Sequence, residues 1–335
     1  LVHHPDAESA KVAEKWLEVL NSVLELNSKL ASHLQTIPRS GIRDFFELVI
    51  GRDDVISLGV GEPDFVTPWP IREAAMRSLD RGETSYTSNL GLLSLREKIS
   101  EYVETFFHVP YRGSDEVLIT VGVSEALDLA LRALVNPGDE VVYHEPCYVS
   151  YSPSIVMSHG VAVAVATKKE DGFSLKPEAL AAVITSRTKI VMLNFPTNPT
   201  GAVASREDLE GIARLCIEHD LIVISDEIYE YLIFEEEHKS ISQFTEIKDQ
   251  LVIINGVSKG FAMTGWRIGF LGGPEAIARA CNKMQGQITS GANCIAQRAV
   301  ITALEAAPAK VKYMIDEFKA RRDLILGLLN TIDGF

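Results

Sequence analysis

"KIVMLNFPTNPTGAVASREDLEGIARLCIEHDLIVISDEIY", residues 189–229, reads as a strand, a turn, a helix and a second strand. Its outer parts, "KIVMLNFP" and "LIVISDEIY", are short β-rich apolar runs. Between them "SREDLEGIARLCIEHD" is a helix, opened by Ser205 as its cap with Asp208 three residues on. The alternation extends on both sides, through "EVVYHEP" (140–146), "VAVAVAT" (161–167), the helix "PEALAAVIT" (177–185), "LVIINGVSK" (251–259) and "WRIGFLGG" (266–273). These runs are nearly continuous in apolar residues, as expected of strands covered on both faces of a mostly parallel sheet, so the fold class is α/β. Ligands of such sheets collect at the carboxyl ends of the strands. "NFPTNPTG" (194–201), "SDEIY" (225–229) and "GVSK" (256–259) each lie at or just past such an end, and the three clusters are expected to converge on one crevice. After Pro274 the chain reads as helical, with a break at Pro308, and it contains no internal repeat or low-complexity segment.

The bulk numbers narrow the classes. A chain of 335 residues can bury a large core and form more than one domain. A net charge of -14 and a pI near 5.1 exclude a broad nucleic-acid surface, which needs clustered Lys and Arg. No apolar run reaches the roughly 18 residues of a membrane span, and no basic-then-apolar leader opens the sequence, so a cytoplasmic protein is expected. Cys147, Cys216, Cys281 and Cys294 are scattered without CxxC spacing, and neither a disulfide frame nor a metal site is expected. Near the start, Val12, Trp16, Val19, Val23, Leu26 and Leu30 recur at alternating steps of four and three, which predicts a helical extension over residues 1–35 with one packing face; a dimer zipper is the lesser reading, since the pattern is shorter than three to four heptads. The first residue is Leu rather than Met, and the expectation is that the gene starts upstream.

Lys259 stands in "GVSKGFAMTGWRIGF" (256–270), among small and apolar residues with Arg267 eight positions on. A solvated lysine needs no such setting, whereas one that must lose its proton and form an imine works best in a dry pocket. In "ITVGVSEALDLALRAL" (119–134) a strand end, a glycine and a helix follow in order. This is either plain architecture or a place where the free amides near Val123 and Ser124 hold a phosphate. Asp226 follows four apolar residues and is either a turn cap or a buried anion awaiting a cation such as a protonated ring nitrogen. "NFPTNPTG" could be a turn alone, yet a turn needs no such density of rigid residues. An imine-forming lysine, an anion for a pyridinium, a phosphate-binding helix start and an arginine together describe the needs of pyridoxal 5'-phosphate.

"NFPTNPTG", "SDEIYEYL" and "SKGFAMTGWRIGF" resemble the signatures of the class I/II pyridoxal-phosphate aminotransferases of fold type I, in the branch that holds bacterial and archaeal aspartate, aromatic and alanine aminotransferases. "ISLGVGEPDFVTP" (56–68) and "YTSNLGLLSLREKI" (86–99) extend the resemblance from about Ile37 to the end of the sequence. The resemblance implies a three-layer α/β/α large domain around a mostly parallel seven-stranded sheet, over residues 61–305, with residues 36–60 contributing to a small domain. Residues 306–335 would then be a connector helix and the start of that small domain, whose remainder, with the family's carboxylate-binding arginine, is expected to lie past Phe335.

The resemblance also implies roles. Lys259 would anchor the cofactor as an imine and serve as the base, Asp226 would keep the ring nitrogen protonated, and Tyr229 and Asn198 would hydrogen-bond the 3' oxygen. Arg267, Ser258 and the amides of Val123 and Ser124 would hold the phosphate, and Tyr148 would stack on the ring. Gly61, with Asn198, would meet the substrate carboxylate. Tyr86 would reach the phosphate of the neighbouring subunit, which implies a homodimer with shared sites. The reaction implied is transfer of an amino group from an L-amino acid to a 2-oxo acid such as 2-oxoglutarate, by a ping-pong mechanism. One position departs from the pattern: the family often has a serine three residues before the lysine, and Gly256 stands there. A carbon–sulfur β-lyase or a cyclopropane-forming synthase would share the cofactor and pocket. A pyridoxal-phosphate-sensing regulator is disfavoured by the acidic charge and by 35 leading residues, too few for a DNA-binding module.

Overall fold

Strand β4 (Thr188–Asn194) explains why the apolar runs are continuous. Ile190 and Met192 pack into one hydrophobic cluster, while Val191 and Leu193 pack into another on the opposite face. The computed structural model describes residues 61–235, 237–305 and 309–334, together with 15–16, 26–35, 37, 52, 54–56 and 59. Seven strands form one sheet: β1 (Val117–Thr120), β2 (Glu140–Glu145), β3 (Val161–Ala166), β4, β5 (Ile222–Asp226), β6 (Leu251–Gly256) and β7 (Gly269–Gly272). Their order is β1-β7-β6-β5-β4-β2-β3. All neighbours from β6 to β3 are parallel, and β7 alone runs antiparallel, to both β6 and β1.

Helices cover both faces. On one lie α3 (Gly122–Leu134), α4 (Tyr151–Met157) and α7 (Glu275–Ile288), whose buried residues Leu127, Leu131, Ile155 and Ile277 join Ile190, Ile224 and Ile254 of the sheet. On the other lie α1 (Trp69–Asp80), α2 (Leu93–Phe107), α5 (Pro177–Ala181), α6 (Arg206–Glu218) and α8 (Cys294–Glu305), with Met314 of α9 (Lys312–Leu329) joining the same cluster. The result is the three-layer α/β/α arrangement with a mostly parallel seven-stranded sheet. Ser205 caps α6 as its sequence predicts, its Oγ accepting from the Asp208 amide at 3.0 Å.

Three expectations change. "PEALAAVIT" forms only the short helix Pro177–Ala181, and residues 182–187 lead on to β4 without further helix. β3 is apolar in sequence but largely open to solvent: it is one of the two edge strands and, unlike the fully buried β1 at the other edge, its residues are not covered on both faces. Of the early stripe, Trp16, Leu26 and Leu30 are exposed, and Val12, Val19 and Val23 lie outside the described residues. The break expected at Pro308 also falls outside them, as do most of residues 36–60. Among the described residues no helix is long and apolar enough to cross a membrane.

Candidate active site

The register of the sheet brings the polar clusters to one rim. Asn194 is opposite Asp226 across β4 and β5, and Asp226 is opposite Ile254 of β6. Gly256 is opposite Gly269, and Gly269 is opposite Thr120. Because β7 is antiparallel to both neighbours, β1 points the same way as β6, and the first residue of β7 meets the last residues of both. The segments after β1, β4, β5 and β6 and the segment before β7 therefore share one edge of the sheet.

Lys259 lies in the turn after β6, half-buried, with Nζ donating to the Gly61 carbonyl at 2.7 Å. Burial lowers the proton affinity of this amine; the Glu62 carboxylate opposes that shift, and the positive charge of Arg267 adds to it. Thr264 donates to Glu62, so the Gly61–Glu62 stretch is bonded to the lysine loop at two points.

Asp226 closes β5 and is 6% exposed. Oδ2 accepts from the Tyr151 phenol at 2.7 Å and Oδ1 from the Ile228 amide at 3.3 Å. The carboxylate is thus both buried and the acceptor for a turn amide. Burial pushes the carboxyl up to about 6, against the pull of the two donors, and among the described residues it has no cationic partner. Asn198 donates to the Tyr229 hydroxyl at 3.3 Å, and burial pushes that phenol up to about 12. Tyr148 is half-buried, its ring edge-on to Tyr151 at 5.7 Å.

Arg267 and the start of α3 meet through glycines. A Cβ on Gly122 would stand 2.5 Å from Arg267 Nη2, and one on Gly269 would stand 2.5 Å from the Gly122 carbonyl carbon and 2.6 Å from the Val123 nitrogen. The guanidinium is therefore laid against the first turn of α3, where the Val123 and Ser124 amides begin the helix. Arg267 itself has φ +54°, and Nη1 donates to the Thr264 carbonyl at 3.0 Å. Gly256 has the same origin: a Cβ there would stand 2.8 Å from the Ile268 carbonyl oxygen. The serine expected at that position has no room on this backbone.

The structure thus brings together Lys259, Gly61 and Arg267, then Arg267 and the α3 start, then Asn198 and Tyr229; Ser258 is buried beside Lys259. Tyr86 is 97% exposed on a loop held by buried Gln297, which accepts from the Leu92 amide at 2.8 Å and donates to Thr87 at 3.2 Å. Sequence reasoning passes over Tyr151, Glu125 and Gln297. Glu125 accepts from the Val121 amide at 2.5 Å and the Thr289 hydroxyl at 2.7 Å, tying the α3 start to the end of α7. A signal for Tyr151 is present in the spacing of "CYVSY": it stands three positions after Tyr148, an i, i+3 pair leading into a helix start. Pyridoxal phosphate fits this donor set. A buried carboxylate lacks a cation, an amine of lowered proton affinity is in reach of solvent, and an arginine stacked on a helix start offers an anion cradle.

The comparisons agree with this chemistry. A family model for aminotransferase class I and II matches residues 53–335. The chain is 44% identical over 307 residues to the Bacillus subtilis protein YugH, covering 92% of this chain and 80% of that one. It is 39% identical over 306 residues to the aspartate aminotransferase of Pyrococcus abyssi, covering 90% of this chain and 79% of that one. Among solved structures, the aspartate aminotransferase of Thermus thermophilus with maleate superposes with a TM-score of 0.86 at 38% identity, over 90% of this chain and 80% of that one.

Proposed function

This chain belongs to the class I and II aminotransferases, enzymes dependent on pyridoxal 5'-phosphate, and from that premise we propose which residues move the amino group and how. When bound, the cofactor supplies an aldehyde that captures amines and a protonated ring that withdraws electrons from the substrate's Cα. Lys259 Nζ is the attachment point and the base that moves the Cα proton. Its burial favours the neutral amine, which is the form both tasks require. Asp226 keeps a proton on the ring nitrogen, and pairing with that cation offsets the cost of burying the carboxylate. Asn198 and Tyr229 donate to the 3' oxygen. Arg267, Ser258 and the amides of Val123 and Ser124 hold the phosphate, while Tyr148 covers one ring face and excludes water from it. Gly61 and Asn198 orient the substrate carboxylate, and residues 61–305 form the domain that carries all of these groups.

The proposed donor is an L-amino acid and the proposed acceptor 2-oxoglutarate, exchanged in ping-pong order. Two copies of the chain form the working unit, with Tyr86 of each reaching the other's phosphate cradle; its near-complete exposure on a pinned loop supports this. The four free thiols suit a reducing cytoplasm.

The observation that carries the assignment is the half-buried amine of Lys259 beside Arg267, at the rim where β5 presents Asp226. Borohydride reduction of the cofactor-loaded protein, followed by peptide mapping, should place the label on Lys259. A label on another lysine overturns the assignment. With an amino acid and 2-oxoglutarate the product should be glutamate, whereas release of ammonia and pyruvate would mark a lyase.

A further inference from the structure

We infer that Tyr151 is a positioning residue of the cofactor site: its phenol fixes the plane and the charge of the Asp226 carboxylate while its ring braces Tyr148, so one side chain governs both the partner of the ring nitrogen and the cover over the ring. This rests on the reading of the site given above. Tyr151 opens α4 and is 2% exposed, packed with Ile155 in the cluster beneath the sheet. Its Oη lies 2.7 Å from Asp226 Oδ2, at the upper end of the charge-assisted range. The other carboxylate oxygen has only the longer 3.3 Å bond from the Ile228 amide. Without the phenol the carboxylate would be free to turn about its Cβ–Cγ bond, and its negative form would lose its better donor. Burial and the adjacent Asp226 charge keep the phenol proton on Tyr151 well past the ordinary range, so the group donates at every working pH. The second contact is with Tyr148, edge-on at 5.7 Å and 84°, a geometry that resists tilting of the stacking ring.

The groups around the carboxylate are few. Tyr229 and Glu227 follow it in the chain, Asn194 of β4 donates to its backbone carbonyl at 2.9 Å, and Cys147 precedes Tyr148. Among the described residues, Tyr151 is the side chain that donates to the carboxylate itself. A purely structural tyrosine would be replaceable by phenylalanine, which fills the same volume.

The test loads the full chain with pyridoxal phosphate carrying a nitrogen-15 ring label and reads the ring-nitrogen chemical shift at neutral pH. In the parent the signal should be that of a protonated ring. In Tyr151→Phe it should move toward the unprotonated value, because a carboxylate of raised proton affinity draws the proton off the ring. The same variant should lose on the order of tenfold in kcat, the scale of a hydrogen bond to a charged group, with KM little changed. An unchanged nitrogen signal in cofactor-loaded Tyr151→Phe overturns the inference, whatever the melting temperature does. If that variant holds no cofactor, 3-fluorotyrosine at position 151 decides. Its more acidic phenol should shift the signal further to the protonated side, and no shift again overturns the inference. A parent that takes up no cofactor would overturn the reading of the site, and this inference with it.

Discussion

Asp226 carries a free-energy cost that pH exposes. Its carboxyl is raised by burial from 3.8 to about 6, so between those values the folded, cofactor-free protein holds a proton that the unfolded chain has released. Stability from this group is therefore greatest below about pH 4 and is lost as pH rises through about 6. A rise from 3.8 to about 6 corresponds to about 3 kcal/mol. Asp226→Asn removes the titration. Denaturant melts of the cofactor-free proteins should show the variant gaining on the parent from pH 4 to 7, by up to about that amount, while the two converge at the acid end. A constant difference across this range would mean that Asp226 does not titrate there. With cofactor bound the sign reverses, because the anion is then paired: the variant should lose on the order of a hundredfold in kcat, as when a preorganised electrostatic partner is removed.

At the scale of elements, the phosphate cradle exists because β6, β7 and the start of α3 approach more closely than side chains permit. Gly122, Gly256 and Gly269 are the three contacts, and each would drive a Cβ into backbone or into the Arg267 guanidinium. Glu125 then ties the start of α3 to the end of α7. Restoring the family's serine should for this reason do harm. Gly256→Ser is expected to lower stability by about 1–3 kcal/mol, the scale of overpacking, and to weaken pyridoxal-phosphate binding roughly tenfold by displacing β7 and with it Arg267. Urea midpoints and a cofactor titration measure both. Tighter binding in the variant would show that the added hydroxyl reaches the phosphate and that the packing yields.

For the whole molecule the question is whether each site is built from two chains. Lys259→Ala and Tyr86→Phe should each be poorly active alone. In a hybrid dimer one site would collect both lesions and the other would be intact, so an equal mixture should recover roughly a quarter of the parent activity. No recovery, with hybrids demonstrated by native mass spectrometry, would put Tyr86 in its own subunit's site. The α/β rhythm, the capped α6 and the strand-end positions of Asp226 and Lys259 were all legible in the sequence, since each rests on periodicity and on neighbours a few residues apart. The same local reading overrates β3, whose apolar residues carry no mark of an uncovered edge, and it takes Gly256 as a departure from the family's pattern rather than a required absence. What only the tertiary structure decided is which distant segments meet. The antiparallel insertion of β7 lays Arg267 on the α3 start, and the packing of α4 under the sheet sets the Tyr151 phenol on a carboxylate 75 residues away. Local patterns fix where a strand ends and which groups it presents there. Partners across the sheet follow from the packing of both faces at once, a property of the whole fold that no window of sequence contains.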